Sequence, residues 1–541
     1  MNVNADAQVS NVSRIHAFPR PVSPGNLLQG LLRNAEFPHS VTDIQVIETH
    51  ISWVVLTGAY VYKIKKPVDL GFVDFTSLAK RRYFCEEELR LNRRLAPELY
   101  LEVVPIGGSL TKPIFGERPA IECAVKMRQF DDTARLDHQL AAGALSVSDM
   151  HALAETIAGF HGSAPSAGAN LPFGDLATIR AAVIENLHQL AFLLGNSENE
   201  TSLKRLETWS VAQLDARAET MRARKRDAYV RECHGDLHLA NLVRFGNEII
   251  PFDCLEFDPK LRWVDVISEI AFLVMDLMLR DREDLAFAFL NRYLECTGDY
   301  QGLELMRFYL VYCCLVRCKV AAIQAAQRDD AENVSEFPGV GQYLNLAQSI
   351  CEPVEKPRLI ITHGLSGSGK TRLTDRLVTA FPAVRLRSDL ERKRLRGLLP
   401  LGRSASSIAT GLYDASSSEA TYDHLASMAA VSLKAGFHTI VDASFLRLEQ
   451  RLRFRALAKR LESPMIILDC DAPIETLQQR VSNRLDQESD ASEATLEVLG
   501  HQRNVREPLT SDEKPYTIRV DTDQPTNLEA LIRHIKRRIR Q

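Results

Sequence analysis

The sequence predicts two domains of different class. The first, over residues 1–350, is α+β; the second, over 356–541, is α/β with a parallel five-stranded sheet covered by helices. Three observations predict this. Residues 44–128 alternate like β-strands around a single helical stretch, and after Asp149 the pattern changes to long amphipathic helices. Chain breakers Pro338, Gly339, Gly341, Pro353 and Pro357 gather where those helices end. From Arg358 onward, short apolar runs recur with helical segments between them, the pattern of strands buried on both faces of a parallel sheet.

In chain order, Ser52–Leu56 and Tyr60–Lys66 read as strands turning at Gly58, Leu78–Leu95 as a helix with an apolar stripe, and Ile121–Met127 as a strand. Helices Met150–His161 and Ile179–Leu194 follow, a β insert spans Leu242–Phe252, and helices resume to about Cys351. The later strands are Leu359–His363, Ala383–Arg387, His438–Asp442, Met465–Asp469 and Tyr516–Val520. A sheet-rich lobe before a larger helical lobe is the order of a protein-kinase-like, bilobal fold.

With 541 residues, 45% hydrophobic and 25% charged, the chain can bury a core of ordinary size in each domain. None of the ten cysteines forms a CxxC pair, and Cys313, Cys314 and Cys318 sit in one apolar stretch. That argues for buried free thiols in a reducing compartment rather than a metal or redox centre. Met1–Phe18 lacks a positive segment followed by an apolar run, and Ile267–Leu279 is short and interrupted by Glu269 and Asp276. A secretory signal and a membrane span are therefore not expected, and the predicted location is the cytoplasm. Net charge is −4, but from Lys356 onward 30 Lys and Arg face 23 Asp and Glu. A basic last third suits a polyanionic ligand; nucleotide phosphates satisfy it, and nucleic acid is permitted but not demanded.

The most informative stretch of the first domain is His234-Gly-Asp236-Leu-His-Leu-Ala-Asn241, followed by Pro-Phe-Asp253. Phosphoryl transfer needs a carboxylate to orient a hydroxyl proton, a neighbouring amide on Mg²⁺ and a second carboxylate bridging metal and phosphates. Asp236, Asn241 and Asp253 fit these roles in turn, with His234 locking the loop.

These residues resemble the aminoglycoside phosphotransferase family, which shares the protein-kinase fold, over roughly residues 45–320. The resemblance implies a strand lysine on the ATP phosphates and a helix glutamate holding that lysine. Lys63 is the first choice and Lys65, on the same strand face, the alternative; Glu88 matches the glutamate, although Glu86–Glu88 also suit a solvated helix face. Ala124–Arg128 resembles the hinge that meets adenine, and Asp265 an aspartate that buttresses the metal loop. The chain departs from the protein-kinase pattern in having no GxGxxG over the phosphates, where Leu56-Thr-Gly58-Ala stands instead.

Gly364-Leu-Ser366-Gly367-Ser368-Gly369-Lys370-Thr371 is a complete Walker A sequence between an apolar strand and a helix. Backbone amides of such a loop cradle phosphates, the lysine reaches the β/γ oxygens and the threonine holds Mg²⁺. Asp389 follows the next strand, where it could take a proton from an acceptor, with Arg392 three residues on; pairing of Asp389 with a neighbouring arginine is the plainer account. Asp442 ends a buried strand as a Walker B acid does. Arg480 and Arg484 are spaced for one helical face before the polar Asp486–Ser492 stretch, as in a lid over the transferring group, or as an ordinary solvated face.

Residues 358–522 resemble P-loop kinases of the gluconate kinase, polynucleotide 5′-kinase and zeta-toxin group. The pairing of both halves resembles a bacterial family of bifunctional aminoglycoside phosphotransferase/ATP-binding proteins with an AAA-type P-loop part. The resemblance implies an ATP-dependent phosphotransferase with two nucleotide sites, using ATP (or GTP) and Mg²⁺ and acting on a hydroxyl-bearing small molecule. The rival readings are a nucleotide-gated regulatory protein with one non-catalytic kinase-like domain, and a nucleic-acid 5′-hydroxyl kinase. The basic run in Ile532–Arg540 reads as a solvated last helix rather than a nucleic-acid arm.

Overall fold

The computed structural model describes residues 25–537 except 42, 70, 72, 169, 196, 327–336, 353–355, 399–414 and 488–494. Met1–Phe18, Pro353, most of Asp486–Ser492 and the last residues of Ile532–Arg540 therefore lie outside the described residues. The chain forms two compact units: the residues up to Ala144 together with Cys233–Trp263, and Leu145–Glu232 together with Val264 onward.

The first unit carries a six-stranded antiparallel sheet in the order β1-β2-β3-β6-β4-β5. Its strands are β1 (Gln45–Glu48), β2 (Ser52–Leu56), β3 (Tyr60–Lys65), β4 (Tyr100–Ser109), β5 (Lys112–Phe115) and β6 (Glu122–Arg128). Successive side chains on β3 point to opposite faces. Tyr62 and Ile64 join a core with Trp53, Val55 and Phe115. Val61 packs in a second core with Cys85, Leu99 and Val125. Lys63 and Lys65 share the face of Val61, so the alternation itself turns both towards the helix Leu78–Asn92. Ser77 caps that helix, its hydroxyl accepting from the Lys80 amide at 3.2 Å. Arg81, Cys85, Glu88 and Asn92 form its buried stripe.

The short strand β7 (Val230–Glu232) precedes the HGD loop, and β8 (Leu242–Phe245) pairs antiparallel with β9 (Glu248–Pro251) as the expected insert. A further short strand, β10 (Trp263–Asp265), leads into the helix Val266–Leu279.

That helix in the second unit is buried from Val266 to Leu277, as an apolar segment on all sides requires. Among the described residues, one helical stretch, Tyr300–Ala326, is long and apolar enough by composition to cross a membrane, and 61% of its most apolar window is buried inside the protein. It packs against Pro338–Cys351, Val266–Leu279 and Leu176–Leu194 as a central core helix. Cys313, Cys314 and Cys318 lie buried on it as free thiols.

The same unit contains a five-stranded parallel sheet, β12-β13-β11-β14-β15, built from β11 (Leu359–His363), β12 (Ala383–Arg387), β13 (His438–Asp442), β14 (Met465–Asp471) and β15 (Thr517–Asp521). The last strand starts one residue later than predicted because Lys514–Tyr516 forms a 3₁₀ turn. Strand β12 lies at a sheet edge, and an uncovered edge leaves backbone groups without partners. The helix Glu283–Thr297 covers it. Asn291 donates through Nδ2 to the Ala383 carbonyl at 2.9 Å and accepts from the Arg385 amide at 2.7 Å. The Tyr300 hydroxyl donates to the Arg385 carbonyl at 3.3 Å.

Asn291 thus imitates a neighbouring strand. Asn291→Ala should cost about 1–3 kcal/mol, because it leaves a buried amide and carbonyl unpaired. Urea denaturation of the full chain checks this, and an unchanged midpoint for the P-loop unit would show that the edge needs no such cover.

Candidate functional site

The first constellation lies wholly in the first unit. Lys63 Nζ is 2.9 Å from Glu88 Oε1 and also pairs with Asp253. Lys65 Nζ is 2.7 Å from Glu88 Oε2 and pairs with Glu256. One glutamate therefore serves both lysines, and of the two only Lys63 is paired with Asp253. Burial works against the charge on Lys63, but Asp253, Glu88 and Glu256 outweigh it and hold the ammonium well above its usual range. Burial likewise opposes ionisation of Glu88, and the two lysines bring its carboxyl below the usual range. Its neighbours behave differently: Glu86 and Glu87 pair with Arg82 and Arg90 on the outer face. The solvated-face reading holds for Glu86, while Glu87 is partly covered and lies 3.8 Å from the buried Arg262, and Glu88 is fully buried.

The HGD loop is fixed from several sides. Gly235 has φ +90°, and a Cβ there would stand 2.9 Å from the Leu261 carbonyl oxygen, so glycine is required. His234 Nε2 lies 2.9 Å from the Phe252 carbonyl, which can only accept, so this nitrogen carries the proton. Asn241 Nδ2 donates to Asp236 Oδ2 at 3.0 Å. His238 Nδ1 accepts from the Ala240 amide, leaving Nε2–H to face Asp236 Oδ2 at 3.3 Å. Asp253 adopts φ +63°, a costly conformation for a non-glycine residue, while its amide donates to the Tyr100 hydroxyl at 3.0 Å. Asp236 and Asn241 thus precede the β8–β9 hairpin and Asp253 follows it, the two sides joined by the Phe252 amide donating to the Asn241 carbonyl at 3.0 Å. Asp265 has a different neighbourhood from the one expected: its carboxylate is held by Arg224, at 2.7 and 2.8 Å, and caps the Ile267 amide.

The second constellation lines a cleft of about 1110 Å³ in the second unit, whose walls include Lys370, Thr371, Asp389, Arg392, Asp442 and Arg480. The loop Gly364–Gly369 leads from β11 into the helix Lys370–Ala380. Gly367 has φ +82°, and a Cβ there would meet the Leu477 carbonyl oxygen at 2.7 Å. Lys370 Nζ donates to the carbonyls of Gly364 at 3.0 Å and Leu365 at 2.7 Å. The Ser366 amide donates to Gln502 Oε1 at 2.7 Å, and the Ser368 carbonyl accepts from the Thr522 hydroxyl at 2.9 Å. Asp442 accepts from the Thr374 hydroxyl at 3.1 Å; burial pushes its carboxyl up against the pull of Arg385, Arg387 and Lys370.

Asp389 accepts from Arg392 Nη1 at 3.1 Å, so the acid and the arginine are paired with each other on the cleft wall. Arg480 braces the loop: it donates to the Gly367 carbonyl at 3.3 Å and to the Thr522 carbonyl at 2.8 Å. Arg484 falls on the same helix, Ile474–Gln487, and its side chain lies outside the described residues. Sequence reasoning missed Glu256, Tyr100, Gln502 and Thr522. Glu256 had a local signal, three residues after Asp253; the other three reach their sites from distant segments.

Residues 359–509 match a family model described as an AAA domain. Uncharacterized proteins of Mycobacterium tuberculosis and Mycobacterium bovis are 29% identical over 460 residues, covering 84% of this chain and 89% of theirs. A choline/ethanolamine kinase family protein from Mesorhizobium loti is similar at 11% identity and TM-score 0.34, over 57% of this chain and 93% of that one. A gluconokinase from Sinorhizobium meliloti is similar at 18% identity and TM-score 0.23, over 33% of this chain and 89% of that one.

Residues 359–509 thus form an AAA-type P-loop module on the five-stranded parallel sheet, which implies nucleotide binding there.

The buried imidazole supplies a pH test. Burial lowers the His234 pKa to about 4 from 6.5. Between those values the unfolded chain binds the proton more readily, so this histidine's contribution to stability falls as pH drops from about 6.5 to about 4. His234→Gln keeps a donor and never charges, so its urea midpoint should fall less across that window than the wild-type midpoint. Parallel curves would show that His234 is not held neutral.

Proposed function

We propose that the protein is an ATP-dependent phosphotransferase whose P-loop cleft transfers the γ-phosphoryl group to a hydroxyl acceptor. The observation that carries this reading is the placement of Asp389 and Arg392 on the wall of the same cleft as Lys370, Thr371 and Asp442. A motor or switch needs no carboxylate–arginine pair there, whereas an acceptor with a hydroxyl and an anionic group uses both. In this reading Lys370 turns from the loop carbonyls to the β/γ oxygens, and the backbone amides of the loop hold the phosphates. The acceptor's anion draws Arg392 away from Asp389, freeing the carboxylate to take the hydroxyl proton. Arg480 keeps the loop shaped through Gly367 and Thr522.

Thr371 and Asp442 offer a hydroxyl and a carboxylate in one cleft, the hard oxygen donors that suit Mg²⁺. Bound there, Mg²⁺ would neutralise phosphate charge as the phosphoryl group moves.

The kinase-like region forms a second nucleotide site in this proposal. Lys63, held by Glu88, would meet ATP phosphates; Asn241 and Asp253 supply oxygen donors for Mg²⁺, and Asp236 faces the acceptor. A regulatory role for this second site is favoured by one feature: the turn at Gly58 is tied down through Gln129 Oε1, which accepts from the Thr57 amide at 3.2 Å and the Gly58 amide at 2.9 Å. No glycine-rich loop closes over the phosphates, so ATP binding without rapid transfer is the natural alternative there. The protein acts in the cytoplasm, on a small molecule rather than at a membrane.

In the full-length protein, Lys370→Ala should strongly reduce Mg²⁺-dependent ATP turnover, and a wild-type rate in that variant would sink the assignment. Asp389→Asn should retain ATP affinity while transfer to a found acceptor drops by roughly 10²–10⁴. Arg392→Ala should mainly raise the acceptor KM. If both match wild type in acceptor-dependent ADP release, the acceptor binds elsewhere.

The kinase-like site can be isolated by calorimetry in the Lys370→Ala background. There Asp253→Ala should abolish Mg-ATP binding, whereas Asp236→Asn should leave it intact. Normal binding by Asp253→Ala would remove its metal role.

A further inference from the structure

The helix Glu283–Thr297 precedes the linker, yet it carries a charge into the sheet that bears the phosphate loop. Glu295 is 2% exposed and Arg385, on β12, is 4% exposed. Arg385 donates to Glu295 Oε1 through Nη2 at 2.6 Å and through Nε at 3.1 Å. Its other terminal nitrogen, Nη1, donates to the Thr374 hydroxyl at 3.3 Å and pairs with Asp375. Thr374 is fully buried. Its single proton is shared between the Thr371 carbonyl at 3.0 Å and Asp442 Oδ2 at 3.1 Å. Glu295 Oε2 also stands 3.9 Å from Arg387, which lines the cleft. An acid in the helical part is thereby linked, through one guanidinium and one hydroxyl, to the carboxylate at the end of β13.

Burial gives this link its force. A guanidinium out of water must keep anionic partners, and losing one partner of a buried pair is far more costly than losing both. Asp375 is half exposed and meets one guanidinium nitrogen, whereas Glu295 is buried and meets two. Without Glu295, Arg385 keeps Asp375 at its solvent side, and the buried carboxylate within one hydroxyl of it is Asp442. We infer that Glu295 is a positioning residue for the P-loop site: it keeps Arg385 turned away from Asp442, so that this carboxylate stays available to a divalent cation. The inference rests on the reading of Asp442 as a metal-holding group, and it makes the helical segment part of the P-loop site's support.

The test uses the full-length protein and the Mg²⁺ dependence of ATP turnover. In Glu295→Gln, the Mg²⁺ concentration for half-maximal turnover should rise about ten-fold, as expected when an outer partner of a metal ligand is removed. Affinity for ATP measured in EDTA should stay near the wild-type value, which separates a metal effect from a collapsed loop. Adding Arg385→Gln to Glu295→Gln removes the cation left without its buried partner and should return the Mg²⁺ requirement towards wild type; a merely structural role would worsen instead. Thr374→Val, of equal size, cuts the link beside Asp442 and should raise the requirement too, so it decides the matter if Glu295→Gln does not fold. An unchanged Mg²⁺ requirement in these variants overturns the inference alone. No Mg²⁺-dependent turnover in the wild type would overturn the proposed function beneath it.

Discussion

A cation removed from water must be surrounded by fixed acceptors, and both constellations are built around that constraint. In the first unit Lys65 is fully buried, and it stays charged because Glu88 and Glu256 meet it. Glu88 is then also in place for Lys63, one alternation back on the same strand, and Lys63 in turn reaches Asp253. Strand, helix and loop are thus registered against one another by a charge cluster that tolerates little slippage. Asn92, on the same helix face, reinforces it by accepting from the Cys254 amide at 2.9 Å. In the second unit Arg385 plays the corresponding part. Its guanidinium joins β12 to the helix Glu283–Thr297, while Asn291 pairs the strand's backbone.

What could be read from the sequence follows from how local each signal is. The four strands β11, β12, β13 and β14 begin at the predicted residues, because a parallel sheet covered on both faces demands continuous apolar runs. The glycine-rich loop joining β11 to the helix Lys370–Ala380 was legible for a similar reason: its glycines and lysine act on atoms a few residues away. The choice between Lys63 and Lys65 was not decidable locally, since period-two alternation places both on one face. Long-range contacts separate them: Lys63 reaches Asp253, and Lys65 reaches Glu256. Gln502, 136 residues from Ser366, leaves no trace in any short window, and Glu256, though three residues after Asp253, meets a lysine 191 residues away. Glu295 looked like one acid among many on an amphipathic helix, and its partner lies 90 residues away.

The P-loop is already hydrogen-bonded to its own chain. Lys370 donates to two loop carbonyls and to the Ser368 hydroxyl, and the Ser366 amide donates to Gln502. A phosphate entering the cradle therefore exchanges hydrogen bonds instead of adding them, and affinity is the difference between the two sets. A phosphate oxygen carries charge that a neutral amide or peptide oxygen lacks, and charge-assisted bonds are roughly twice as strong as neutral ones. Nucleotide thus displaces the internal acceptors, while ligands with weaker acceptors gain little from doing so.

The same reasoning applies to Asp389 and Arg392, with a different consequence. They form a partly buried ion pair, so each must be compensated when the other leaves. In the proposed transfer an uncharged acceptor would leave Arg392 on Asp389, whereas an acceptor bearing its own anion would take Asp389's place beside Arg392 and release the carboxylate in the same movement. Substrate binding and release of the base would then be one event. Water, which carries no anion, would leave the pair in place, so basal hydrolysis would run without Asp389 as its base and stay slower than transfer to an anionic acceptor.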